Sequence, residues 1–471
     1  MKDTYDLAII GGGTAGLTGA PFAVQLGARV AFIEKDRIGG DCTWTGCVPS
    51  KTLIKSARVA YQMRTANRFG LTPVDNAVDL KPVMEHVRSV IAEIYSHETP
   101  EILQNQGMHV FIGEPHFIDS HTISINDQII SANYVLICTG AHPFPPPITG
   151  LDTSTYLTYQ NIWDLNVLPK HLAVIGGGPI GCEIAQSFRR LGSRVTLLQS
   201  RDRLLPHDDS DASRTLAEVF RNEGIELRLK AGVERTWQTG NEVHLATTGG
   251  EIVCDALLVA AGRRPNIGGL DMKKASIKYS EQGIQVNRNL RTSQPHIYAA
   301  GDCLGGFQFS HYAGWQGFIA VRNALLPGST KGITDQVPWT TFTNPEVAHV
   351  GMTEEQARQK LGDEVYTTIW PMREVDRALN EAEDIGFLKL VYRKNRKLLG
   401  VTIVAAEAGE MINEWVIAMK HSFKVDELAR DIHVYPTYST ANMQASAAIL
   451  VKKLLGGLSG EIIKRLAHIS H

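Results

Sequence analysis

Cys42 and Cys47 form the one close cysteine pair of the chain, within Gly39-Gly40-Asp41-Cys42-Thr43-Trp44-Thr45-Gly46-Cys47-Val48-Pro49-Ser50-Lys51. A disulfide between them would close a very short loop, and loop-closure entropy makes such a link a weak staple. A closed metal site takes four ligands, and no further Cys or His lies near this pair in sequence. Taken alone, the pair leaves two readings open: a dithiol that cycles with a disulfide, or two buried, inert thiols.

The residues upstream shift that balance toward redox chemistry. Tyr5-Asp6-Leu7-Ala8-Ile9-Ile10 reads as a buried strand, followed at once by Gly11-Gly12-Gly13-Thr14-Ala15-Gly16 and a helical pattern over 17–26. A second strand over 29–33 ends at Glu34. Gly11, Gly13 and Gly16 would let backbone approach a pyrophosphate at a helix amino terminus, and Glu34 would accept from an adenosine ribose hydroxyl. This is a dinucleotide-binding βαβ unit in its proper context.

The elements that must position these groups are set by the whole chain. At 471 residues, about three domains are expected. Lys plus Arg number 47 against 49 Asp plus Glu, so charge offers no case for nucleic acid or an anionic membrane as partner. No apolar run approaches the ~20 residues of a membrane helix, and no signal-peptide pattern opens the chain, so a cytoplasmic location is expected. In that setting six cysteines do not suggest a disulfide framework, and a close pair is better read as catalytic.

Helical patterns are expected over 52–65 and 83–106. The apolar strand 134–137 leads into Cys138-Thr139-Gly140-Ala141 and a Pro-rich exit over 142–147. The fingerprint then recurs: a strand over 172–175, Gly176-Gly177-Gly178-Pro179-Ile180-Gly181, a helix to 191 and a strand over 194–198. Two nucleotide sites follow, with Gly176, Gly178 and Gly181 in the second. Both repeats run the same distance from first glycine to the acid position, where the second carries Gln199. A neutral residue there, with Arg201 and Arg203 close behind, favours NADPH over NADH; two solvated surface arginines are the plainer alternative. A strand starting at 255 closes at Gly262-Arg263-Arg264-Pro265-Asn266, and 292–302 reads as a strand ending on Asp302. From 338 onward strands such as 387–392 and 398–404 alternate with helices, marking a third domain.

Five ordered motifs (the first glycine loop with Glu34, the Cys42 to Lys51 segment, the second loop to Glu183, the Gly262 to Asn266 turn, and 292–302) resemble the flavin-dependent pyridine nucleotide-disulfide oxidoreductases. That family includes lipoamide dehydrogenase, glutathione reductase and mercuric reductase, and the resemblance covers essentially the whole chain. It implies an α/β protein with two Rossmann-like dinucleotide-binding domains and a C-terminal α+β dimerisation domain: residues 1–150 with 271–337 for FAD, 151–270 for NAD(P)H and 338–471 for a homodimer contact opening near 341–348. It also implies that Thr139, Gly140, Gly262 and Asp302 join the cofactor-binding set, with Asp302 at the ribityl-pyrophosphate portion of FAD. Flavin converts hydride delivery into thiol chemistry because its N5 accepts hydride while its C4a can be attacked by a thiolate. By the same resemblance Cys47 is the flavin-side thiol, held at low pKa, and Cys42 is the exchanging thiol. Lys51 and Glu183 correspond to an ion pair beside flavin N5. Cys138, Cys182, Cys254 and Cys303 are expected to be buried and inert.

The departures concern the acceptor. Family members that reduce lipoamide or glutathione carry a His-Pro-Thr segment with a Glu five residues beyond the His, whereas this chain reads Tyr435-Pro436-Thr437-Tyr438-Ser439-Thr440. A tyrosine, with an ordinary pKa of ~10, is poorly suited to cycling protons at neutral pH; His433, two residues upstream, is the candidate substitute. Mercuric reductases also carry a Tyr in this segment, and a soft Hg(II) ion needs thiolates more than proton transfer. Their terminal cysteine pair has no counterpart here, since no cysteine lies beyond Cys303, and their amino-terminal metal-binding domain is not expected. Trp44, between the cysteines, would shape the mouth of the site or simply pack. The resulting reading is a mercuric reductase-like NAD(P)H oxidoreductase acting on a metal ion or disulfide. The alternatives are a dihydrolipoamide dehydrogenase or small-disulfide reductase with an atypical acid-base group, and a redox-sensing, partner-binding flavoprotein. No resident metal is expected.

Overall fold

The computed structural model describes residues 3–75, 77–456, 461–463, 465 and 467. The expectations for the chain's last residues, including the end of the third domain, lie partly outside them.

The strand Asp3–Ile10 sits centrally in the first sheet, parallel to Val30–Glu34 on one side and Gln128–Ile137 on the other. His109–Ile112 extends the first edge in parallel. Ile297–Ala299 returns from much later in the chain to pair in parallel with the end of Gln128–Ile137. The ends of these parallel strands therefore converge on the first glycine loop. Leu7, Ala8, Ile9 and Ile10 are buried, as a strand covered on both faces requires.

The second glycine loop has the same construction. His171–Ile175 lies parallel to Arg194–Gln199 and to Ala256–Val259, with Glu226–Leu229 at the far edge. In both copies the last loop glycine is a steric requirement. A Cβ on Gly16 would stand 2.2 Å from the Gly11 carbonyl oxygen, and one on Gly181 would stand 1.8 Å from that of Gly176.

The third domain is an antiparallel sheet ordered Trp339–Thr341, Glu346–Gly351, Leu398–Ala405, Phe387–Arg393 and Val365–Pro371. Its core holds Trp415 and Ile403, both completely buried. Lys389 is tied from this sheet to the second fold. Its ammonium, also buried, lies 2.9 Å from Asp209, 2.7 Å from Asp211 and 2.6 Å from Glu354.

Three boundaries differ from the sequence expectation, each for a local reason. The helix expected over 52–65 begins at Cys47 and runs to Arg64. The Gly46 carbonyl accepts from Ser50 N–H, and Pro49 falls in the first turn, where a missing N–H leaves no helical bond unmade. The pattern over 83–106 breaks into Leu80–Tyr95 and Pro100–Asn105, because Thr99 accepts from Ile102 N–H and Pro100 starts a new helix. The strand expected to end on Asp302 stops at Ala299, and Gly301, at φ 78°, turns the chain so that Asp302 stands in a short 3-10 turn.

Candidate active site

The cysteine segment is seated on the first glycine loop. Gly39 N–H donates to the Gly12 carbonyl at 2.8 Å. Gly40, at φ 57°, lies so close that a Cβ there would stand 2.8 Å from Gly13 Cα. Any larger residue at position 40 would push the two loops apart. Cys42 lies in the turn Gly40–Trp44, and Cys47 opens the helix Cys47–Arg64. Both are thiols and half-buried.

The two thiols are electrostatically unequal. Cys47 is pulled down to about 6, first by the hydrogen bond from Cys42, against burial, and then by the Ser310 hydroxyl and the Lys51 charge. Its place at a helix amino terminus acts in the same direction. Cys42 is pushed up by serving as the donor in that bond and by burial. One proton is thus held on Cys42 while Cys47 carries the charge.

Lys51, one turn beyond Cys47, meets Glu183 at 3.0 Å; the Glu183 carboxylate is buried and also accepts from Phe342 N–H at 2.8 Å. The Lys51 ammonium lies 4.4 Å from the centre of the Phe342 ring. Leu53 and Ala57 of the cysteine helix share a core with Cys182, Ala185 and Phe188, so apolar packing as well as charge joins the helix Pro179–Leu191 to the thiol helix.

Around the first glycine loop, Glu34 accepts from Gly12 N–H at 2.6 Å and from Asp36 N–H at 2.9 Å, which fixes its carboxylate at the loop. The helices Thr14–Gln25 and Pro179–Leu191 start after Gly13 and Gly178 with no side-chain cap. A Cβ on Gly178 would meet nothing within 4 Å, and one on Gly13 would meet only Gly40 Cα at 3.8 Å. Open space before an uncapped helix terminus fits a pyrophosphate at each loop. These residues fit FAD at the first loop and a nicotinamide nucleotide at the second.

Thr139 and Gly140 pair with Asn266 of the turn that follows Gly262. Thr139 donates to the Asn266 carbonyl at 2.7 Å, and Asn266 N–H donates to the Gly140 carbonyl at 2.9 Å. The Asp302 carboxylate, which burial pushes up in pKa, is held by Arg263 at 2.8 Å. Arg263 also reaches Asp41 at 2.6 Å, and Tyr159 donates to the same Asp41 oxygen at 2.9 Å. A residue adjacent to Cys42 is thereby joined to the Gly262 turn and to Asp302.

At the second loop, Gln199 holds the place that Glu34 holds at the first. A Cβ on Gly177 would stand 3.2 Å from Gln199 Cβ, and one on Gly12 would stand 3.1 Å from Glu34 Cβ. Arg201 is exposed, whereas both terminal nitrogens of Arg203 lie 2.9 Å from Glu355. Of the two arginines read together in the sequence, Arg203 is committed to the third domain.

Tyr435 and His433 diverge. Tyr435 is 67% exposed, near the still more open Val434 and Ile432, and donates to Asp376. His433 turns inward, with Nε2 3.2 Å from Glu414 and Nδ1 3.2 Å from the Asp431 carbonyl. The hydrogen-bond partners of both lie within the third domain; neither contacts the cysteine pair of its own chain. Trp44 packs: its indole donates to the Ile38 carbonyl at 2.7 Å and its ring lies 4.8 Å from that of Tyr95. Cys138, Cys182, Cys254 and Cys303 are buried.

Sequence reading passed over Ser310, whose Oγ lies 3.3 Å from Cys47 Sγ, and Asp41 and Arg263 as site residues. Arg263 stood inside a motif already singled out, and Asp41 beside a cysteine. Ser310 offered no comparable signal.

Two family models match the chain: pyridine nucleotide-disulphide oxidoreductase over residues 5–317, and the dimerisation domain of the same family over 337–446. The mercuric reductase of Lysinibacillus sphaericus is 37% identical over 442 residues, covering 93% of this chain and 81% of that protein. The dihydrolipoyl dehydrogenase of Bacillus subtilis is 33% identical over 443 residues, covering 92% and 96%. Among solved structures, the HOCl-induced flavoprotein disulfide reductase RclA from Escherichia coli superposes with a TM-score of 0.85 at 30% identity, covering 94% of this chain and all of that one. A Cu(II) complex of RclA superposes equally well. The chain therefore belongs to the FAD-dependent pyridine nucleotide-disulphide oxidoreductases, a family of enzymes that use pyridine nucleotides, and it carries their dimerisation domain.

Proposed function

We propose that this enzyme is a homodimer that takes electrons from NADPH, with NADH as the weaker donor, and passes them through the Cys42–Cys47 pair to a soft metal ion or a small disulfide. FAD, when bound, relays the two electrons of the nicotinamide hydride to the disulfide. Residues 1–150 and 271–337 would hold FAD, 151–270 the nucleotide and 338–471 the partner subunit. A cytoplasmic setting belongs to the same reading; no described helix is long and apolar enough to cross a membrane.

The observation that carries this reading is the unequal thiol pair. Cys47, low in pKa beside the Lys51–Glu183 ion pair, suits the flavin side, and Cys42, which has a proton to give to a departing sulfur, suits exchange. With a disulfide acceptor, the Cys42 sulfur attacks one sulfur and expels the other, its proton passing to the departing thiolate. Cys47 then displaces the remaining sulfur and restores the Cys42–Cys47 disulfide, and the second departing thiolate takes a proton from solvent. With Hg(II), the two thiolates bind the ion and the donor's two electrons reduce it: NADPH plus Hg(II) yields NADP+, a proton and Hg(0).

The outward tyrosine, in place of a histidine, favours the metal ion, because thiolate ligation needs no acid-base partner. The relatives named mercuric reductase and the RclA–Cu(II) complex support the same class. A second reading, a disulfide reductase served by His433, has the His433–Glu414 pair in its favour. NADPH is favoured by neutral Gln199 with Arg201 exposed behind it.

An anaerobic titration with NADPH, followed by absorbance, tests the reading. Two electrons should produce a long-wavelength thiolate-to-flavin band in the parent, after which Hg(II), Cu(II) and small disulfides are compared as acceptors. Bleaching without that band would remove the dithiol from the electron path.

A further inference from the structure

Two helices begin at the same sulfur. Cys47 opens Cys47–Arg64, Ser310 opens Ser310–Leu325, and the serine Oγ lies 3.3 Å from Cys47 Sγ. The titratable groups acting on Cys47 are Cys42, Lys51 and Glu183, and of the three Glu183 opposes its ionisation. With Cys47 ionised, only the hydroxyl can be the donor in the serine contact. The other side-chain hydrogen-bond donor to Cys47 is the Cys42 thiol, and that donor is consumed by the reaction. Once Cys42 sulfur is bonded to an acceptor sulfur or metal, its proton is gone and the bond to Cys47 goes with it. A serine hydroxyl keeps its proton throughout.

We propose that Ser310 is a further catalytic residue, whose hydroxyl holds Cys47 as a thiolate during the part of the cycle in which Cys42 is engaged with the acceptor. The proton stays on Ser310 Oγ, so no proton or electron is added to the reaction. The inference rests on the reading of Cys42 as the exchanging thiol and Cys47 as the retained one. It identifies the group that keeps Cys47 ionised when its cysteine partner is occupied.

The Cys42→Ala holoenzyme reproduces the condition in which position 42 donates nothing. The rate of Cys47 alkylation by iodoacetamide, followed by peptide mass analysis from pH 4 to 10, gives the thiol midpoint. In Cys42→Ala that midpoint should remain below the ~8.5 of a free cysteine. Adding Ser310→Ala should raise it by about one unit, a tenfold loss of thiolate below the midpoint, the scale of one hydrogen bond to a charged group. Ser310→Gly should do the same and serves if the alanine variant folds poorly, while Ser310→Thr should restore the low midpoint. An unmoved midpoint in the alanine and glycine variants, or an equal rise with threonine, overturns the role of Ser310 and leaves the dithiol reading standing. A free-cysteine midpoint already present in Cys42→Ala would overturn both together.

Discussion

Lys51 and Glu183, 132 residues apart in the chain, meet at 3.0 Å and join the helix that starts at Cys47 to the helix of the second glycine loop. The charges act on Cys47 with opposite signs: Lys51 lowers its pKa and Glu183 raises it. Lys51→Met should therefore raise the Cys47 midpoint, and Glu183→Gln, which keeps an acceptor for Phe342 N–H, should lower it, each by about half a unit. The pH dependence of alkylation in the reduced enzyme gives both numbers. Two shifts of the same sign would mean that the pair acts through structure rather than charge.

Nucleotide preference should turn on Gln199 and Arg201. Gln199→Glu would restore the acid of the first loop and repel a 2′-phosphate, shifting the kcat/KM ratio toward NADH by about tenfold or more, on the scale of 1.4 kcal/mol per decade. Arg201→Ala should weaken NADPH and leave NADH unchanged. Arg203→Ala, with its fork committed to Glu355, should change the ratio little and stability more. A loss of NADPH preference in Arg203→Ala alone would reverse this assignment.

The third domain offers a contrast between two neighbouring side chains. Tyr435→Phe removes an exposed hydroxyl and should leave the melt and turnover with a soft metal ion little changed, because thiolate ligation needs no acid-base partner. His433→Ala removes an inward ring held by Glu414 and should mainly cost stability, about 1–2 kcal/mol. Steady-state rates with Hg(II) and with a small disulfide, set beside thermal melts, separate the two. Disulfide turnover abolished in a well-folded His433→Ala variant would instead establish the acid-base role.

Asp208 links charge to stability. Burial pushes its carboxyl up to about 7, against the hydrogen bond that it accepts from the Trp339 indole at 2.8 Å. The folded pKa stands above that of the unfolded chain, so the folded state holds the proton more tightly. The resulting stability is present below about pH 4 and is lost as pH rises through 7. Asp208→Asn keeps an acceptor for Trp339 without a charge to bury. Its melting temperature relative to the parent should rise between pH 5 and pH 8, by the equivalent of about 2 kcal/mol. A flat difference over that range would show that Asp208 ionises freely in the folded protein.

What could be read before folding was whatever local pattern expresses. The first glycine loop, Glu34 and the cysteine pair declare themselves between residues 11 and 47, and Gln199 emerges by laying one repeat on the other. Packing partners are a different matter. Cys47 finds Ser310, Arg263 finds Asp41, Arg203 finds Glu355 and His433 finds Glu414, in each case because strands and helices carry remote segments to one place. The helix boundary at Cys47 was missed for a related reason: a proline two residues later looks like a helix breaker, yet in a first turn it removes no bond.

The buried ammonium of Lys389 also bears on how the second fold is held. Rotating the second glycine fold away from the third domain would pull Asp209 and Asp211 from a fully buried cation and leave it Glu354 of its three carboxylate partners. Two of the three ion pairs of Lys389 thus latch the second fold to the third domain.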